Sequence, residues 1–305
     1  MSSGLNLDES VIVIVLRVII FLTSTLGNGF IVFLILRVKK IRNEKFNLLI
    51  LLLAVGDVIL GFAAAIRASQ SLFKENGRFV RMTCLALGTP WILGTHVTQI
   101  AMLLIAVDRL DSIFRLNRPN PHIVYFCYVL SIPAVIGYSL IPTGLLFVGG
   151  EDVRSFTCSV GMMWHPRYGD YMFAIMITFN LSIPTLYAAI FVLFNRYTKR
   201  ASRVTVVSTK NNFQSIVYGV VIVYILLWCI PKWLKYGLNL FGEFGVVLDV
   251  AAFAVGFCEQ LSACVNIVVY GYTHRDLRKA MKNVAFKWRT TPFRVNTVST
   301  STRRN

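Results

Sequence analysis

Two acidic residues sit deep in apolar stretches, Asp57 in Leu53-Ala54-Val55-Gly56-Asp57 and Glu259 in Gly256-Phe257-Cys258-Glu259-Gln260. A carboxylate in such surroundings is costly unless protein or water partners it, so each is a candidate functional group. Asp57 reads either as a working carboxylate or as a protonated acid held by hydrogen bonds. Arg67 follows ten residues later, and Lys232 follows Pro231 in another apolar run. Asn28, Asn180, Ser262 and Asn266 add buried hydrogen-bonding groups, while His96 reads as a hydrogen-bonded helix-contact residue ahead of a ligand contact or metal site. The chain has no Ser/His/Asp set, no HExxH and no Walker glycine loop, so these groups point to binding and not to catalysis. The protein is expected not to be an enzyme.

The elements that carry these groups are apolar throughout. Of 305 residues, 56% are hydrophobic and 15% charged, and the mean hydropathy is +0.64. That composition excludes a soluble globular domain and specifies an integral membrane protein. Apolar stretches of spanning length fall near 11–36, 46–66, 84–107, 123–148, 168–194, 213–240 and 246–270. The expected fold is an all-α membrane protein, a seven-transmembrane-helix bundle with a short amphipathic C-terminal helix. Most of the 31 Lys and Arg flank one side of these spans, including Lys39, Lys40, Arg109, Arg200, Lys279 and Lys282. By the positive-inside rule that side is cytoplasmic, with the amino terminus outside. The net charge of +17 is then a solvated inner face, and nucleic acid is not an expected partner. Of six cysteines, Cys127, Cys229, Cys258 and Cys264 fall inside spans, where thiols behave as small hydrophobes. Cys84 and Cys158 remain on the oxidising side, and their disulfide is the economical pairing.

Residues 1–10 read as an extracellular N-terminus, 11–272 as the membrane domain, 273–288 as an amphipathic juxtamembrane helix and 289–305 as a flexible cytoplasmic tail. In 273–286, Arg and Lys alternate with Leu277, Ala280, Met281, Val284 and Phe286 at helical spacing, which suits an anionic inner leaflet. The tail is rich in Ser and Thr and invites phosphorylation. Pro231, mid-span and three residues after Trp228, kinks its helix either as a pivot or as a static bend. Asn180-Leu181-Ser182 matches a glycosylation sequon but lies inside a span, so it is not an acceptor.

Taken together, Gly27-Asn28, Leu53 to Asp57, Cys84 with Cys158, Asp108-Arg109, Pro184, Trp228 to Pro231 and Asn266 to Tyr270 resemble the rhodopsin-like (family A) G-protein-coupled receptors. Their order on successive spans and the 25-residue step from Cys84 to Arg109 make the set specific. Met102 to Leu110 is further similar to the nematode serpentine chemoreceptors of the SX class. The resemblance implies that Arg109 engages a heterotrimeric G protein once the sixth helix swings outward, with Asp108 holding it at rest. It implies a pivot at Trp228 to Pro231, an activation tyrosine at Tyr270, and a sodium- and water-filled pocket at Asp57, Thr98, Ser262 and Asn266. Sodium is the sole cofactor it suggests. Arrestin and a receptor kinase are implied partners of the Ser/Thr-rich tail. Several positions depart from the family pattern. Leu110 replaces tyrosine, Ile267 replaces proline, and Cys229 stands where the toggle tryptophan is usual. Val192 occupies the fifth-helix tyrosine position, and Asn211 stands where an acid would restrain Arg109.

In this architecture the ligand cavity opens outward between helices three, five, six and seven. Trp91, Thr95, His96, Phe173, Met176, Asn180, Lys232, Trp233 and Glu259 are its expected lining, with Arg67 at the edge. Trp91 falls where amine receptors of the family place an acid, which argues against a monoamine, and the absence of a lysine in the seventh span argues against a retinal Schiff base. Arg67 and Lys232 against Glu259 leave net positive charge, favouring an anionic or strongly polar small molecule. Against this stands a blander arrangement in which Lys232 snorkels outward and Arg67 pairs with Glu259. The expected function is chemosensory, in the plasma membrane of a sensory neuron. A receptor for an endogenous peptide or neuromodulator is the near alternative, and a seven-span transporter or channel the distant one.

Overall fold

The computed structural model describes residues 7–74, 78–114, 121–149, 154–155, 158, 164–200, 219, 221–241, 246–273 and 277–282. Its long helices are α1 (Val11–Arg37), α2 (Lys45–Ser69), α3 (Arg81–Phe114), α4 (Pro121–Leu145), α5 (Pro166–Arg200), α6 (Val221–Leu240) and α7 (Val246–Thr273). Even α6, with 20 residues, reaches about 30 Å, the thickness of a bilayer's hydrocarbon core. Six of these helices are long and apolar enough to span, and α4 contributes the further apolar stretch Val129–Leu145. The chain is a multi-pass membrane protein with a helical bundle fold.

Burial follows from which helices are central. α2 is apolar nearly all round, and Leu49, Ile50, Leu52, Leu53 and Leu60 are all buried, as expected for a helix enclosed by neighbours. α1 lies at the periphery, and its Val11, Phe33 and Leu26 are exposed where lipid would cover them. Without a hydrophobic drive between helices in lipid, close association depends on small residues. Gly94 of α3 faces Leu60 of α2, where a Cβ would stand 2.9 Å from the Leu60 Cγ and 3.1 Å from its backbone nitrogen. Gly56 plays the same part against Thr98, whose backbone nitrogen would lie 3.1 Å away. Overpacking of this kind costs about 1–3 kcal/mol. Gly94→Ala is therefore expected to lower the thermal unfolding midpoint. Gly137→Ala should not, since no described residue comes within 4 Å of a Cβ at that position.

α6 is not a regular helix. Residues Ile225–Cys229 form a π turn in which the Ile230 N–H reaches the carbonyl of Ile225. The cause is local: Pro231 has no N–H for the Leu227 carbonyl, and its ring needs room there. A wider turn just before the proline supplies that room, and the extra residue re-registers the helix. Trp228 and Cys229 are consequently both buried.

At the Cys84 end of the bundle, β1 (Phe79–Val80) pairs antiparallel with β2 (Arg154–Ser155). The expected disulfide joins Cys84 to Cys158 across 74 residues of sequence. Around it Phe79, Leu85, Ile92, Leu146 and Tyr168 form a second apolar cluster. At the Arg109 end, the described residues after α7 are helical over 277–282, and Leu277 is buried against the main core with Ala280 and Met281 beside it. The outer parts of the expected juxtamembrane helix, the Ser/Thr-rich tail and Asn211 lie outside the described residues.

Candidate functional site

Glu259 is the centre of the site. Its position on α7 buries the carboxyl almost completely, and three helices converge on it. Lys232 of α6 places Nζ 2.6 Å from Oε1, with the two side chains 5% and 1% exposed. On Oε2, Trp91 of α3 donates its indole N–H at 2.7 Å and Thr95 its hydroxyl at 3.4 Å. An ion pair this deep is tenable because both carboxylate oxygens are hydrogen-bonded as well as charge-paired. Lys232 thus does not snorkel, and Glu259 is matched by Lys232 and not by Arg67. Two features pull Lys232 inward: the acid opposite, and the ring of Trp228, whose centroid lies 4.5 Å from Nζ.

Below the ion pair, Trp228 carries the contact onward. Its indole N–H donates to Ser262 Oγ at 2.8 Å, and Ser262 donates to the Glu259 carbonyl at 2.7 Å. Tyr224 stacks on Trp228 with centroids 6.0 Å apart and donates to Asn180 Oδ1 at 3.1 Å. The thiol of Cys229 faces the Asn180 carbonyl at 3.9 Å. A chain of hydrogen bonds, joined by the Trp228–Tyr224 ring stack, therefore runs from the Glu259 carbonyl on α7 to α6, with Asn180 of α5 at its far end. Its tryptophan takes the inner position through the π turn, although it stands one residue earlier than the family pattern places it.

The remaining expected lining is more scattered. Phe173 and Trp233 are partly exposed and pack on Tyr236, at 4.9 Å and 6.2 Å between ring centroids, forming an aromatic rim between α5 and α6. Met176 is half-buried one turn below Phe173. His96 is fully buried with its ring edge toward Tyr138 of α4, and neither ring nitrogen has a hydrogen-bond partner among the described residues. The expected hydrogen bond of His96 is thus missing there. Arg67 turns to the disulfide, donating to the Cys158 carbonyl at 2.7 Å and to Gln70 Oε1 at 3.4 Å. It braces the disulfide end of the bundle. Arg17, inside α1, is buried beside it and donates to the Arg67 carbonyl at 3.3 Å.

A second polar cluster lies around Asp57. Asn266 donates to Asp57 Oδ2 at 2.9 Å, and Ser24 donates to the Asp57 carbonyl at 2.7 Å. Asn28 ties α1 to α7 through the Ala263 carbonyl at 2.9 Å. Among the described residues Asp57 Oδ1, Asn266 Oδ1, Thr98 Oγ1 and Asn28 Oδ1 are buried without a hydrogen-bond partner. Orphaned buried oxygens of this kind suit water or a small hard cation. Ser262 does not join this set, because its oxygen is engaged by Trp228 and the Glu259 carbonyl. Among the described residues no His/Cys/Asp/Glu group could hold a transition metal.

At the opposite end of α3, Arg109 Nε stands 3.6 Å from Asp108, too long for a hydrogen bond but close enough for an ion pair. Its guanidinium also stacks on Phe46 of α2, 3.3 Å from the ring centroid. Sequence reasoning missed Phe46, and also Tyr187. Val192, at the usual tyrosine position, is 47% exposed, whereas Tyr187 is buried and its hydroxyl has no hydrogen-bond partner among the described residues. Tyr187 and Tyr270 both lie within electrostatic reach of Arg109. Its place four residues after the buried Ile183, on the same helix face, could have signalled it.

No curated protein matches the chain at a significant level. Residues 21–285, which include every group described above except Arg17, match the family described as serpentine type 7TM GPCR chemoreceptor Srsx. The bundle, the disulfide and the match over most of the chain lead to one conclusion: this protein belongs to the Srsx family of serpentine seven-transmembrane G-protein-coupled chemoreceptors, a receptor family and not an enzyme family.

Proposed function

We propose that this protein is a chemosensory receptor that binds a small molecule in an outward-facing pocket over Glu259 and activates a heterotrimeric G protein through Arg109. The observation that carries the reading is the convergence of Trp91, Thr95, Lys232 and Glu259 from three helices on one buried ion pair. Ligand contact there is transmitted by the chain Glu259–Ser262–Trp228 to α6, which the π turn and Pro231 make deformable. A shift of α6 changes the surroundings of Tyr187, Tyr270 and Arg109, a two-state element of the sort receptors use. In this reading residues 1–10 are extracellular and 289–305 cytoplasmic, and the receptor resides in the plasma membrane of a sensory neuron. The Ser/Thr-rich tail recruits a receptor kinase and arrestin. The experiment is a small-molecule screen with nucleotide exchange on a purified G protein as readout. Activation of wild type but not Arg109→Ala supports the reading; no activation by any compound, with ion flux in proteoliposomes instead, overturns it.

Asp57, Thr98 and Asn266 would hold a sodium ion, which supplies charge compensation for Asp57 at rest. Sodium chloride is then expected to raise the unfolding midpoint relative to equimolar potassium chloride in wild type and not in Asp57→Asn. Equal midpoints in the two salts for wild type would remove the ion from the account.

A further inference from the structure

Glu259 is fully committed, yet a second cation stands beside it. Lys235 lies three residues after Lys232 on α6, on the same helix face, and is half-buried. It is close enough to both Lys232 and Glu259 to interact electrostatically with each. Glu259 has no tight place left for it, because Oε1 holds Lys232 and Oε2 accepts from Trp91 and Thr95. No acid among the described residues forms an ion pair with Lys235. Two lysines against one carboxylate leave an excess of one positive charge, and in partly desolvated surroundings that excess attracts an anion strongly. A single negative charge balances it, and a doubly charged group would overshoot. Tyr236, also on the face shared with Lys232, packs with Phe173 and Trp233 and offers an apolar aromatic rim next to the cation.

We infer that Lys235 is the anchor for the carboxylate of an organic acid ligand, whose apolar body lies against Tyr236 and Phe173. The inference rests on the reading of the Glu259 region as the ligand pocket and narrows it to one chemical class. Lys235 donates a charge-assisted hydrogen bond to the carboxylate, Lys232 adds field from behind, and Glu259 keeps Lys232 from taking the ligand itself. By sequence alone Lys235 has no special place, since a lysine near a helix end ordinarily belongs to the membrane interface.

The test uses the full chain in phosphatidylcholine nanodiscs, with octanoate and phenylacetate as probes and octanamide and phenylacetamide as their uncharged partners. Thermal unfolding and equilibrium titration are read on wild type, Lys235→Gln and Lys235→Arg. Either carboxylate is expected to stabilise wild type and Lys235→Arg, the amides neither, and Lys235→Gln is expected to bind carboxylate roughly tenfold or more weakly. Amides binding as well as acids, no stabilisation by either acid, or Lys235→Gln matching wild type would each overturn the inference. A lipid phosphate could instead occupy Lys235. If phosphatidylglycerol in the nanodisc blocks the carboxylate effect in wild type and has no effect on Lys235→Gln, the anchor belongs to lipid and the inference fails. Because no G protein is present, loss of this result is separable from loss of the receptor reading: neutral activators in the exchange screen would sink the carboxylate alone.

Discussion

Glu259→Gln is expected to be the most damaging single substitution in the bundle, lowering stability by about 3–5 kcal/mol. Lys232 is 5% exposed, and without the acid its ammonium is left buried beside donors. Whichever way the new amide turns, its NH2 faces either Lys232 or the indole N–H of Trp91, which now donate to the two carboxylate oxygens. Lys232→Met added to Glu259→Gln should restore most of the loss, because the buried charge and its desolvation penalty go together. Thermal unfolding of the two single variants and the double variant in one detergent checks this. A single variant as stable as wild type, or a double variant no better than Glu259→Gln alone, would show that the pair is not the energetic centre of the site.

Cys84→Ser is the second large effect, with an expected loss of roughly 2–5 kcal/mol. The bond closes a loop of 74 residues, and long loops gain most from closure in the chain-entropy account. Its consequences extend beyond entropy. Arg67 Nη1 is held by the Cys158 carbonyl, and Arg17 in turn by the Arg67 carbonyl, so loss of the bridge frees a chain of contacts reaching α1. The β1–β2 pair and Phe79 belong to the same apolar cluster and should loosen with it. Limited proteolysis is expected to cut the Arg154–Cys158 segment faster in Cys84→Ser than in wild type. Equal cleavage rates and equal unfolding midpoints would show that the strand pair and Arg67 hold the segment without the bridge.

What the residue order foretold, and what it did not, separates along physical lines. The spans and the cysteine pairing were legible because they depend on composition and compartment, both one-dimensional properties. The inward placement of Asp57, Asn266 and Glu259 was legible because polar groups in apolar helices have few other solutions. Rotation about a helix axis was not. Trp228 and Cys229 exchange expectations because the π turn at Ile225–Cys229 inserts a residue into the register, and nothing but Pro231 hints at it. Tyr187 is buried and Val192 exposed because the face that α5 turns to the bundle carries Asn180, Ile183, Tyr187 and Ile190 at helical spacing, and the family's tyrosine position falls off it. The sequence leaves open whether Lys232 turns into the pocket or snorkels outward, because burial of a lysine is decided by its partner, and Glu259 stands 27 residues further along the chain. The resemblance places Ser262 in the Asp57 cluster, but its hydroxyl donates its one proton to the Glu259 carbonyl and accepts from Trp228, a partner on another helix. The stacking of Arg109 on Phe46 joins α3 to α2, and no local pattern announces it.

The functional reading stands or falls on whether the Lys232–Glu259 pair is where ligand acts. The direct measurement is nucleotide exchange by a purified heterotrimeric G protein, driven by a small molecule that activates wild type, on the Lys232→Met/Glu259→Gln double variant. That variant is folded if the paired substitution restores stability, so a lost response cannot be ascribed to unfolding. The expected result is a potency reduced at least roughly tenfold at a matched unfolding midpoint. A double variant that responds with wild-type potency would contradict the placement of the ligand site at Glu259.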